Sequence, residues 1–312
     1  MARDSAFESE YLIYEVKHTP EDFKYQFLME NISKNFTQFL FEQTTNAERK
    51  WLEDQTQSNA LDLMTAFVAA PRFLSKKNVF YDSHFHGEFI SHLPGFQVDG
   101  WNLVRLSRVW LLLHLNVEPK EQFIKNIETL FDTAELNELV ALYSALPLLP
   151  YPWEWLARAT DAVRSNMGFV FDAISLKNPY PELYFPEDAW NQLVLKTIFN
   201  GKPIHWIYGL DRRKNKDLSI AITDFISERF AAGRKVPAQV WRLLGSFTDE
   251  TIYPKLVLLF ASKEKEEREA AALVCFESKN SQLRSLLSKY PELELSIQNG
   301  DLDWSKLESI PE

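Results

Sequence analysis

Residues 215–232 read NKDLSIAITDFISERFAA. Leu218, Ala221, Ile222, Phe225 and Ile226 recur at steps of three and four, so on a helix turning about 100° per residue they form one clean apolar stripe. The same period repeats along the chain. Thr19-Pro20-Glu21-Asp22 is an N-cap followed by a proline at the first helical position and acids in the first turn. It opens a helix expected to run to about residue 43, with Phe23, Phe27, Ile32, Phe36 and Leu40 at helical spacings. Further helices are expected over 46–57, 60–69, 99–115, 119–131, 133–146, 152–159, 161–176, 186–200, 237–245, 249–262, 264–278 and 281–289. YLIYEV (11–16) and NVFYDSHFHGEF (78–89) read as extended. The chain holds 9 glycines, and no Asn-Gly or Asp-Gly turn stands between alternating strands.

Helices of about three to five turns with short breaks predict an all-α fold of stacked antiparallel pairs, a HEAT-like α-solenoid or compact helical array. Sequence self-similarity is weak, so the repeat is one of architecture rather than of motif. The expected organisation is a single helical domain over 1–312, with 1–18 as an N-terminal extension and 299–312 as a C-terminal tail. The long irregular stretch is 80–98.

Composition narrows the function classes. The chain has 312 residues, enough to bury a sizeable core, and 46% are hydrophobic. The net charge of −10, without a long basic block, argues against nucleic acid as a partner. A single cysteine, Cys275, cannot form an internal disulfide, which points to a reducing, cytoplasmic setting. The greasiest run, VWLLLHLNV (109–117), is about half the ~20 residues of a membrane span, so no direct membrane insertion is expected.

Polar residues placed inside apolar arcs are the candidate functional residues. In the 186–200 helix, Asn191 falls among Trp190, Val194, Leu195, Ile198 and Phe199. Arg229 lies on the stripe of the 215–232 helix, and Arg108 on that of the 99–115 helix. Asn166 and Arg164 flank a stripe of Val163, Met167, Val170 and Ile174. A buried arginine is costly without a partner, so carboxylates should be near. Asp211 lies beside Arg212, and Asp224 and Glu228 stand four residues apart, where a cation between them would relieve repulsion. The expectation is one buried cluster of Asn191, Asn166, Asn178, Asp211, Arg108, Arg164 and Arg229, with Trp190 and Trp241 packed on it and Arg212 at its rim. It is either an ion-pair and amide network that fixes helix stacking or a polar cleft for a small anionic or amphipathic ligand.

These residues also carry a resemblance. The run from ELVALYSALPLLPYPWEWLARATDAVRSNMGFVFDAIS through LKNPYPELYFPEDAWNQLVLKTIF, then GLDRRKN and ERFAAGRKVPAQVWRLLGSF, resembles the EboA family of bacterial proteins. APRFLSKK (70–77) and GWNLVRLSRVWLLL (100–113) resemble its N-terminal half, and the similarity covers roughly 46–287. The most specific block runs from RSNM to AGR. The resemblance implies a soluble protein, encoded beside metabolic enzymes and a prenyltransferase-like membrane protein, that serves the traffic of a secondary metabolite or its precursor. That family often has histidine where this chain has Ser227. No agreed catalytic residue exists to carry over.

Other motifs are weaker. DSHFH (82–86), with His84 and His86 spaced to share one side of a strand and His92 nearby, is the one metal-like pattern, but further ligands on later strands are missing and no metal is expected. No Gly-x-Gly-x-x-Gly, phosphate-cradling Gly-Lys-Ser/Thr loop or Gly-x-Ser-x-Gly elbow occurs, so no cofactor and no serine hydrolase is expected. Cys275, within AAALVCF, reads as a small core residue. Two classes stay open. One is a non-catalytic binding or adaptor protein with protein partners and a small metabolite. The other is an enzyme using Glu228 or Asp224 as acid–base group, with Arg108, Arg164 and Arg229 clamping an anion. The discriminator is whether the carboxylates are free for proton transfer or spent on arginines.

Overall fold

A computed structural model describes residues 23–80, 93–248 and 250–308. The fold is all-α: among these residues there is no β-sheet, and one isolated bridge pairs Asn78 with Asn102. The possible strand at 11–16 and the DSHFH histidines lie outside the described residues. The chain divides into two compact units, one ending at Ala189 and the other starting at Trp190.

The first unit holds α1 (Phe23–Glu42), α2 (Asn46–Gln55), α3 (Ala60–Ala69), α4 (Leu103–Leu112), α5 (Lys120–Thr133), α6 (Leu136–Ala145), α7 (Leu156–Arg164), α8 (Gly168–Ser175) and the short α9 (Tyr180–Tyr184). The packing is an array in which α1, α3 and α6 lie against α4, and α8 packs on α6. The central position of α4 follows from its sequence. LVRLSRVWLL is apolar nearly all round, as a helix enclosed by others must be. Nine of its ten residues are buried, and the exception is Arg105.

Side-chain caps set several helix starts. Asn59 caps α3 and Asn102 caps α4. Thr45 and Glu48 form a reciprocal capping box at α2. The buried Glu48 carboxylate accepts from the Thr45 amide at 2.8 Å and the Ser75 amide at 2.8 Å. Burial raises its pKa, but the Thr45 and Ser75 donors outweigh that and bring it down to about 2. A carboxyl depressed on folding stabilises the protein above its unfolded value of about 4.5 and loses that contribution as pH falls towards 2. Glu48→Gln should therefore cost on the order of 2 kcal/mol at pH 7, and the gap to wild type should close near pH 2. Denaturant melts across that range check both the size and the sign.

The second unit contains most of α10 (Glu187–Phe199), within which the division falls, then α11 (Lys216–Ala231), α12 (Tyr253–Phe260), α13 (Lys265–Glu277), α14 (Ser281–Leu287), α15 (Pro291–Gln298) and α16 (Trp304–Glu308). Its hub is α13, packed by α12, α14, α15, α16 and the 3₁₀ stretch Ala238–Leu243. Ala270, Ala271 and Ala272 are fully buried there, small enough to admit neighbours on several sides. Cys275 is a buried core residue whose thiol burial pushes up to about 12. Within the expected C-terminal tail, Trp304 and Leu307 are buried, and the Trp304 indole donates to Glu277 at 2.6 Å.

Three of the expected helices differ in their course for local reasons. The expected 161–176 helix is broken at Ser165–Met167, where the Ser165 hydroxyl accepts the Met167 amide, so α7 and α8 are separate. The expected helices at 152–159 and 237–245 begin or run as 3₁₀ turns, Pro152–Trp155 and Ala238–Leu243, beside prolines that lack an amide donor.

Candidate functional site

Arg108 sits in the core of the first unit with its charge spent. Its Nε donates to the Phe67 carbonyl at 2.9 Å, and Nη2 donates to Glu138 at 2.9 Å and Val68 at 3.4 Å. It thus satisfies carbonyls in the last turn of α3 and ties them to the first turn of α6. Glu138 has a second task, accepting the Glu135 amide at 3.0 Å to cap α6. Burial pulls the Arg108 pKa down, and Glu138 and then Glu135 oppose the shift.

Asn178 is a second fully engaged polar residue. Its amide donates to the Tyr143 carbonyl at 3.1 Å and the Ala173 carbonyl at 2.9 Å, and accepts the Tyr180 amide at 2.9 Å. It follows Lys177, whose positive φ of 56° turns the chain out of α8. The Tyr180 hydroxyl donates to the Pro152 carbonyl, and the Trp155 indole to Pro150 at 2.9 Å. The proline-rich LPYPWEW and NPYPELYF segments are therefore joined by aromatic side chains that meet carbonyls in the turns.

The remaining expected members occupy other environments, and the single buried cluster is corrected accordingly. Arg164 is exposed and pairs with Asp161 at 3.3 Å; Asn166 is exposed in the α7–α8 break. Their assignment to a stripe assumed one continuous helix. In the second unit, Asn191 is half-buried and exchanges amide hydrogen bonds with Asn215, at 3.2 Å and 2.8 Å. Asn215 in turn caps α11 by accepting the Leu218 amide. Asn191 therefore sits in an apolar arc because it ties α10 to the start of α11. Asn191→Leu should lower stability by about 1 kcal/mol, readable by urea denaturation, because Asn215 keeps its cap and has access to water.

Trp190 is buried under the Arg213 guanidinium, 4.7 Å above its ring, and Trp241 is buried edge-on to Phe230. Asp211 is half-exposed and pairs with Arg242 and, at 2.9 Å, with Lys214. Burial raises its pKa, but Arg242 and Lys214 bring it down to about 2. Arg212 is exposed, 4.6 Å over the Tyr208 ring. Arg229 donates to the Lys235 carbonyl at 2.6 Å, past the end of α11. Asp224 and Glu228 are both exposed. Ser227 donates back to the Thr223 carbonyl within α11.

A concave site does exist beside Arg108. A cavity of about 360 Å³ is lined by Pro71, Lys76, Asn102, Arg105, Asn137 and Phe169, with Gly100, Val104, Val140 and Arg108. Arg105, which sequence reasoning missed, supplies its half-buried cation. Its Nε donates to the Ser144 hydroxyl at 3.0 Å, and its guanidinium lies 4.2 Å over the Trp101 ring. Among the described residues no carboxylate forms an ion pair with it. Burial brings its pKa down to about 9, with the Asp172 charge working the other way, so it remains a cation at neutral pH.

A larger groove of about 760 Å³ lies between α1 and residues including Leu112, Leu113, Val117, Phe123, Leu149 and Pro150. Its charged residues, Glu30 and Lys34, are exposed and of opposite sign on one helix, so nothing there fixes a ligand's charge. Among the described residues, no group of three or more His, Cys, Asp or Glu side chains is placed to hold a metal. No described helix is long and apolar enough to cross a membrane.

No curated protein and no solved structure matches the chain. Residues 32–245 match the family model described as metabolite traffic protein EboA, a span that includes every residue lining the α4 cavity, and the chain belongs to the EboA family.

Proposed function

We propose that this protein is a non-catalytic helical binding and adaptor protein in the cytoplasm. It serves the trafficking or export of a secondary metabolite or its precursor, alongside enzymes encoded with it and a prenyltransferase-like membrane protein. Family membership supplies the class of function. The observation that favours binding over turnover is the state of the carboxylates. Glu138 is held by Arg108, and Asp211 by Arg242 and Lys214. Asp224 and Glu228, the acid–base candidates, are exposed to solvent. The three arginines of the supposed clamp already have partners: Arg108 on Glu138, Arg164 on Asp161 and Arg229 on the Lys235 carbonyl. General acid–base catalysis needs a carboxylate that is both free and positioned in a site; Glu138 and Asp211 are engaged, and Asp224 and Glu228 face solvent.

The experiment is deletion of the gene in the producing organism. Lysates should still make the metabolite from its precursors, while intact cells should fail to deliver it and accumulate precursor. Conversion of a pathway intermediate by the purified protein alone would overturn the reading.

A further inference from the structure

We propose that the α4 cavity is a binding site for an amphipathic organic anion, with its acidic head group on Arg105 and Lys76 and its apolar body against Phe169, Pro71 and Val140. The site rests on three features that meet in one place. The first is the arginine. A guanidinium offers five N–H donors. Arg105 directs Nε to Ser144 and its face to Trp101, so the two terminal amino groups keep donor capacity on a side chain held by a ring and a hydroxyl. A preorganised arginine of this kind suits a carboxylate, sulfonate or phosphate better than a free surface side chain does, because less freedom is lost on binding.

The second feature is the electrostatic frame. The lining residues Asn102, Val104 and Arg105 come from the N-cap and first turn of α4, Asn137 from the first turn of α6 and Phe169 from that of α8. Three helix N-termini, each with a partial positive charge, therefore adjoin one cavity. Lys76 adds a second full cation at the mouth; of the acids nearby, Glu138 is neutralised by Arg108, while the Asp172 charge is felt by Arg105 without forming an ion pair with it. The frame alone would suit any anion.

The third feature narrows the class. Phe169, in the lining, is 69% exposed, a large apolar side chain left in water at the mouth. An inorganic ion leaves this rim uncovered; a molecule with an apolar or aromatic body covers it and gains from its burial. The volume sits at the small end of the ~300–1,000 Å³ typical of small-molecule sites, which points to a compact ligand.

This assignment rests on the traffic reading for its biological meaning. Its test uses purified protein and a synthetic probe, so it can fail while the cellular test of that reading succeeds, and the reverse. The probe is the fluorescent amphipathic anion anilinonaphthalene sulfonate, titrated into the full chain and into Arg105→Gln and Lys76→Ala. Lys76 is exposed, so its removal leaves folding intact even where the Arg105 variant is destabilised. One site per chain is expected, weakened at least tenfold by Arg105→Gln and severalfold by Lys76→Ala at unchanged melting temperature. The uncharged analogue phenylnaphthylamine should bind far more weakly and ignore both substitutions. Wild-type affinity in both variants, equal binding of the uncharged analogue, or displacement by inorganic phosphate as readily as by decanoate would each overturn the proposal.

Discussion

Replacing Arg108 with methionine should destabilise the protein by about 3–5 kcal/mol, the largest single-residue effect expected in the first unit. The side chains of Arg108 and Glu138 are only 4% and 8% exposed, so losing the arginine strands a carboxylate where water cannot reach it easily. The Phe67 and Val68 carbonyls lose their donor in the same step. A buried pair is a poor source of net stability but a costly one to break from one side. The double variant Arg108→Met with Glu138→Leu should therefore recover most of the loss. It should remain short of wild type by about 1 kcal/mol, because Glu138 also caps α6. Equilibrium denaturation of the three variants provides the cycle. A single substitution within about 1 kcal/mol of wild type would show that the pair is not buried as described.

Asn178→Leu should be the next most damaging change, at about 2–4 kcal/mol. One amide serves the Tyr143 and Ala173 carbonyls and the Tyr180 amide, and leucine of similar size serves none of them. Each orphaned buried group costs about 1–3 kcal/mol, and partial helical bonding of the two carbonyls lowers the total. The effect should spread to the joint between α8 and α9. Hydrogen exchange should rise first at the Tyr180 amide and then across the NPYPELYF segment. Unchanged protection at Tyr180 would contradict the assignment of that bond.

The helices were legible because periodicity and caps are local. The stretch 215–232 reads as a helix and folds as Lys216–Ala231, and α13 lies within one residue of its expected bounds at each end. The break at Ser165–Met167 was not legible, since serine and asparagine are tolerated within helices and the bond from the Met167 amide to the Ser165 hydroxyl leaves no mark on the periodicity. The buried polar residues were legible in part. An arginine on an apolar stripe marked Arg108, and Asn178, expected in a buried polar cluster, is buried. The same reasoning misplaced Arg164 and Asn166, because an arc extrapolated through a break does not reach the core. Arg105 lies at the edge of the apolar arc, beside Leu112 on the helical wheel, where an arginine is unremarkable. What singles it out comes from afar in sequence: Ser144 on α6, Phe169 on α8 and Lys76 beyond α3. No pattern within one helix contains that information.

The central claim is that this EboA-family chain holds a metabolite without transforming it, and native mass spectrometry of the protein from producing cells tests it most directly. The account predicts one adduct per chain, an organic acid released chemically unchanged on denaturation and missing from Arg105→Gln purified in parallel. A bare wild-type chain from those cells, or an adduct retained in full by Arg105→Gln, would contradict it.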